Sequence, residues 1–242
     1  MTHSLYLRYE ILRTFRNRRF LLFSLGFPLI LFVFVAGSNR HASLGGIPFP
    51  LYYMTGMMAW GTMVAVVASG ARIAAERQQG WTRQIRITPL SVRTYFGTKV
   101  ASGYLLAGLS ILVLAAVGIA VGVRLSAGQW LTMTGLLLVG MVPFAVLGIM
   151  LGHLLTADSI GPALGGITSV FALLGGAWGP LFGGGVLLKA AKCLPSYWVV
   201  QAGKTALGGH GWPAEAWIVV AVWTAVLWLL ATSVYRRDTA RV

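Results

Sequence analysis

Negative charge is nearly missing from this chain. Asp and Glu together number 5, and charged residues make up 10% of the 242, against about 25% in an ordinary soluble domain. With 57% of residues hydrophobic and a mean hydropathy of +0.77, a soluble globule is excluded. The single cysteine, Cys193, has no intrachain disulfide partner, and with no CxxC pair or Cys/His cluster structural zinc is excluded. The phosphate-cradling pattern GxxxxGK[ST] is absent, since Gly97 to Lys99 and Gly203 to Lys204 lack its spacing and its Ser or Thr, so the chain is not expected to hydrolyse ATP. GxSxG and HExxH are absent too. His153 with Asp158 is the one pairing that an intramembrane hydrolase would use, and loop or capping roles compete with that reading. Glu10, Glu76, Asp158, Glu215 and Asp238 all fall at expected span ends or loops, whereas ion-coupled transporters bury such groups near the midplane. Transport by this chain therefore has to draw its energy from another subunit.

What the chain has is long apolar runs. A hydrocarbon core of about 30 Å needs roughly 20 residues of helix, and six runs qualify, at about 20–37, 51–75, 98–123, 130–155, 159–178 and 214–235. The fold expected is an all-α integral membrane protein, one transmembrane domain over 1–242 with six transmembrane helices. Residues 1–19 place Leu5, Tyr9, Leu12 and Phe15 at helical spacing among five arginines, which reads as an interfacial helix or as a basic anchor. The first run is too long for a secretory signal and lacks an AxA site, and Pro28 within it marks a bend. Asp158 or Ser159 is placed to cap the fifth span, with Pro162 in its first turn. Residues 179–213 mix glycines, Pro195, lysines and aromatics; they read as short extracellular or re-entrant helices, with Tyr197, Trp198 and Trp212 at headgroup level.

Orientation follows from the cations. With both termini cytoplasmic, fourteen of the 19 Lys and Arg fall on the cytoplasmic side, leaving Arg40, Arg124, Lys189, Lys192 and Lys204 on the other, as the positive-inside rule requires. The net charge of +14 then reports topology and anionic lipid as a partner, and nucleic acid is not expected. GxxxG pairs begin at Gly118, Gly148, Gly161, Gly175 and Gly179, but 31 glycines give about four such pairs by chance, so the motif does not discriminate. Met57, Met58 and Trp60, with Phe171 and Trp178, are candidates for an apolar substrate path; helix packing or lipid contact is the competing reading. Arg72 and Glu76, four apart, are placed to pair on one helix face.

Between the second and third runs lies ERQQGWTRQIRITPLS, Glu76 to Ser91. Pro89 ends a helix, Gly80 permits a turn, and Trp81, Ile85 and Thr88 share a face, as a short amphipathic helix docking in a partner's groove would need. A basic loop held by anionic lipid is the simpler alternative. With Glu76, Arg77, Gly80, Thr88, Pro89, Leu90, Ser91 and Lys99 in order, this stretch resembles the loop between spans 2 and 3 of ABC-2 type transporter permeases, which often read ER, G, TPLS and a later K. The stretch Leu194 to Gly209 is similar to the family's extracellular segment before the last span. The resemblance implies a bacterial cytoplasmic-membrane exporter of drug or antibiotic type, with two ATPase subunits beneath two permease subunits, as a homodimer or heterodimer. ATP and Mg would sit on the ATPases, and this chain would bind no cofactor. The coupling helix would involve Glu76, Arg77, Gly80, Trp81, Arg83, Gln84, Arg86 and Pro89. Where many members carry Thr-Leu-Glu after the glycine, this chain has Trp81, Thr82 and Arg83, which leaves the cognate ATPase open. The alternative function is a membrane-embedded sensor or assembly protein signalling through its basic loop.

Overall fold

The computed structural model describes residues 3–44, 46–81, 84, 87–88, 90–180 and 185–239. Helix α1 (His3–Arg16) leads through α2 (Arg18–Leu21) and a π-helical turn, Leu22–Gly26, into α3 (Phe27–Ser38). A two-stranded antiparallel hairpin, β1 (Ser43–Leu44) with β2 (Ile47–Pro48), pairs Ser43 with Pro48 and Leu44 with Ile47. Helices α4 (Phe49–Ala71) and α5 (Ile73–Gln78) form one apolar rod, followed by α6 (Val92–Val121). Helices α7 (Ala127–Gly140) and α8 (Val142–Leu154) form another rod, followed by α9 (Ala157–Gly175). Three short helices, α10 (Val186–Lys192), α11 (Pro195–Val200) and α12 (Ala202–Leu207), precede α13 (Ala214–Thr239).

Five of the six expected spans are helices long and apolar enough to cross a bilayer among the described residues. The first differs, because the apolar helix there covers only Ser24–Ser38. Pro28 has no N–H, and its ring crowds the carbonyl four residues back; the π turn immediately before it is where the helix absorbs that strain.

The rod of α4 and α5 is the axis. Its apolar window is 89% buried, against 33% for α6, 17% for α13 and 11% for α9, so the other helices pack around it and turn their outer faces to the surroundings. Small residues allow the approach. A methyl group placed on Gly148 of α8 would stand 2.4 Å from the Val67 carbonyl oxygen of α4, and one on Gly70 would stand 2.5 Å from the Ile149 nitrogen. Helices in lipid gain most from such contact, since lipid supplies no hydrophobic drive between them. Gly148 and Gly152 thus form a close-packed GxxxG pair, whereas Gly161 and Gly165 face open space.

One local expectation changes. Thr156, not Asp158 or Ser159, is the N-cap of α9; its amide donates to Ser159 Oγ at 3.2 Å, and Pro162 lies beyond the first turn. Trp198 and Trp212 are buried at 6% and 5% exposure, and the Trp198 indole N–H donates to the Lys192 carbonyl at 2.8 Å.

Gly148→Ala is expected to cost about 1–3 kcal/mol through overpacking and to lower the thermal midpoint of the detergent-purified protein. Gly161→Ala, in open space, should leave the midpoint unchanged or slightly raised. Equal midpoints for the two variants would contradict the close α4–α8 contact.

Candidate functional site

Glu76 sits in the last turns of α5 with no solvent exposure. An ionised carboxylate there needs partners, because a buried unpaired charge costs several kcal/mol. Lys99 of α6, equally inaccessible, donates to Glu76 Oε1 at 2.5 Å and to Glu10 Oε1 of α1 at 2.7 Å. Arg13 of α1 adds a bond to Glu76 Oε1 at 2.7 Å, and the Tyr95 hydroxyl donates to Oε2 at 2.6 Å. Thr14 accepts from Arg72, whose guanidinium lies 5.1 Å over the Phe20 ring. Burial, with the negative charges of Glu76 and Glu10, pushes the Tyr6 phenol beside this cluster well above its ordinary pKa. Arg13, with 46% of its side chain exposed, is the member of this ion cluster that reaches solvent. Arg72 therefore does not form the ion pair with Glu76 that their spacing allows, because the fully buried ammonium of Lys99 takes the carboxylate.

Arg77 points the other way, as adjacent residues on a helix must. Its Nη1 donates to the carbonyls of His153 at 2.9 Å and Gly152 at 3.3 Å, at the C-terminal end of α8 where a cation complements the helix dipole. Its Nη2 bonds Asp238 Oδ1 of α13 at 2.5 Å, and Asp238 Oδ2 meets His153 Nδ1 at 2.8 Å. Rings of Phe96, His153 and Tyr235 pack edge to face at 5.3–5.8 Å around this contact. His153 thus has Asp238, not Asp158, as its carboxylate neighbour. One dipeptide, Glu76–Arg77, ties together α1, α6, α8 and α13.

Beyond α5 the chain turns at Gly80, whose φ of +71° only glycine adopts without strain. Trp81 follows at 39% exposure, Gln84 is exposed, and its N–H donates to the Gly80 carbonyl at 3.3 Å. Arg83, Arg86 and Pro89 lie outside the described residues. Leu90 packs on Tyr6, Ile73 and Tyr95, and Ser91 caps α6 by accepting from the Thr94 amide at 3.2 Å. The residues of the ER, G and TPLS pattern that are described, Thr88 apart, thus have separate physical roles.

The apolar candidates divide. Met57 and Met58 are fully buried in the core of the single chain. Trp60 packs edge to face on Trp178 at 5.2 Å and on Phe27 at 5.4 Å. Phe171 packs edge to face on Phe144 and Trp223 at the side of the same core. Sequence reasoning missed the burial of Glu10 and Lys99. The available signal was that Tyr6, Glu10 and Thr14 recur every four residues, a polar face of α1 opposite Leu5, Tyr9, Leu12 and Phe15, which are exposed.

Apolar rods around a buried axis, tied at one end by an ion cluster, define a multi-pass membrane subunit. The chain belongs to the ABC-2 transporter family: the family model described as ABC-2 family transporter protein matches residues 42–234. It is also similar to the Bacillus subtilis (strain 168) protein named "Putative transport permease YvfS", 27% identical over 237 residues and spanning 96% of each chain. It is therefore an ABC-2 type permease, a class whose members associate with an ABC ATPase.

Lys99→Met leaves two buried carboxylates short of a cation, and a loss of about 3–5 kcal/mol in stability is expected. Arg13→Gln, at a half-exposed position, should cost less than about 1 kcal/mol. Thermal melts of the purified permease check the ranking, and a reversed order would show that the cluster is held from the outside.

Proposed function

We propose that the chain is the permease of an ATP-driven exporter, moving a hydrophobic or amphipathic molecule out across the bacterial cytoplasmic membrane with energy from a separate ATPase. Two permease chains, identical or sibling, stand over two ATPase subunits that hold ATP and Mg, and both chain ends lie in the cytoplasm. The observation that carries this reading is the convergence of α1, α6, α8 and α13 on Glu76 and Arg77, immediately before an exposed turn with Trp81 and Gln84. A push on residues 80–91 by closing ATPases then moves five helices together, α5 included. Bistable blocks of packed elements transmit motion in this way, where a single flexible loop would absorb it. The coupling surface comprises Gly80, Trp81, Arg83, Gln84, Arg86 and Pro89, with Glu76 and Arg77 as its anchor. Trp60 with Trp178 and Phe27 makes an aromatic wall along α4; together with Met57, Met58 and Phe171 it is the proposed apolar path, to which the buried methionines gain access when the helices part.

Co-expression with an ABC ATPase encoded beside this chain should give a complex whose ATPase activity depends on the permease. Arg83→Glu with Arg86→Glu should lower that stimulation by about fivefold or more, with membrane insertion normal. Arg77→Met should leave the complex intact but lower substrate moved per ATP in vesicles. Transport without ATP, or unaltered coupling in both variants, would sink this reading.

A further inference from the structure

At the end of the axis opposite Glu76, α10, α11, α12 and the start of α13 line an open cavity of about 430 Å³. Gly203 of α12 abuts Thr55 of α4. At 1.5 Å per residue, the stretch from Thr55 to Glu76 spans about 30 Å, one hydrocarbon thickness. The cavity therefore sits at the headgroup layer on the side away from the ion cluster.

Its lining includes Lys192, Lys204, His210, Gln201, Tyr197 and Glu215. Among the described residues, neither lysine has a carboxylate within 4.0 Å, in contrast to Lys99 at the other end. Gln201, Tyr197 and His210 likewise have no side-chain hydrogen bond among the described residues. The Trp198 indole is already committed to the Lys192 carbonyl, which fixes one wall of the cavity. Glu215 has a role of its own in the first turn of α13, where an acid favours the helix dipole. The lysines lie in the last turns of α10 and α12; a dipole favours a cation there, but it does not bring two from separate helices to one cavity. Topology works against them as well, since Lys and Arg concentrate at the opposite end of the spans.

We propose that this cavity binds a phosphate group, carried either by a lipid headgroup or by a soluble phosphate compound. Two ammonium groups as point charges, with amide, phenol and imidazole donors, match the several acceptor oxygens of a phosphate, and the depth matches the layer where lipid phosphates lie. The site does not depend on ATP coupling or on the direction of transport.

The test uses the full chain in dodecyl maltoside, which carries no phosphate, with binding read by native mass spectrometry. Dioleoylphosphatidylglycerol should bind about tenfold more tightly than dioleoylglycerol, which lacks the phosphate. Lys192→Gln with Lys204→Gln should remove about tenfold of that affinity, while the charge-matched pair Lys189→Gln with Arg124→Gln, outside the cavity, should change it less than about twofold. Glu215→Gln should tighten binding, a gain that misfolding does not produce. Competition separates the sources: displacement by inorganic phosphate assigns the site to soluble phosphate, and retention of phosphatidylglycerol against it assigns the site to lipid. Equal losses in the two lysine-containing pairs, no preference for phosphatidylglycerol over dioleoylglycerol, or weaker binding in Glu215→Gln would overturn the proposal.

Discussion

A carboxylate without access to water needs donors around it, and Glu76 has them from two helices, α1 and α6. Lys99, Arg13 and Tyr95 converge on its two oxygens, and Glu10 shares the ammonium. Charge balance, together with the packing of Tyr6 on Ile73 and Tyr95, therefore sets where α1 lies against α5 and α6. Its consequence is visible in α1 itself, which turns Tyr6, Glu10 and Thr14 inward and leaves Leu5, Tyr9, Leu12 and Phe15 outside. A helix in water does the reverse. An inverted helix is favourable where its outer surroundings are apolar, as at a bilayer surface.

The axis of α4 and α5 separates two kinds of polar chemistry. At the Glu76 end the charges are paired and closed off, and the ion contacts there hold helices. At the Thr55 end, cations line an open cavity with no carboxylate in bonding range among the described residues. Between them runs a stretch of Gly, Ala, Met, Ser and Thr buried nearly all round. Backbone contact between α4 and α8 at Gly70 and Gly148 makes the stretch stiff, since close-packed interiors resist continuous deformation.

Hydropathy alone located five spans, because the requirement for about 20 apolar residues acts on composition and not on contacts. Over the first expected span the apolar helix covers Ser24–Ser38, with a π turn just before Pro28. Partners were less legible. Spacing offered Arg72 to Glu76, yet Lys99, 23 residues away, is the one that pairs with it, since a fully buried ammonium has more to lose unpaired. Proximity in sequence linked His153 to Asp158, while Asp238, 85 residues on, is its actual neighbour. The indole N–H of Trp198 goes to the Lys192 backbone carbonyl, a partner that its place among aromatics in the sequence does not indicate. Five GxxxG matches held no information as a count, yet Gly148 and Gly152 are packed backbone to backbone. Each miss concerns which group meets which across the fold, a three-dimensional property that periodicity does not carry.

The bond between Arg77 and Asp238 joins residues 161 positions apart. Chains are made at about 5–20 residues per second, so Arg77 waits on the order of ten seconds or more, after the ribosome adds it, for the carboxylate that completes its site. During that interval α8 alone can offer it carbonyls. A helix synthesised long after α5 is thus the one that finishes the segment proposed to face the ATPase, and a nascent permease lacking α13 would present that segment with one of its ties missing.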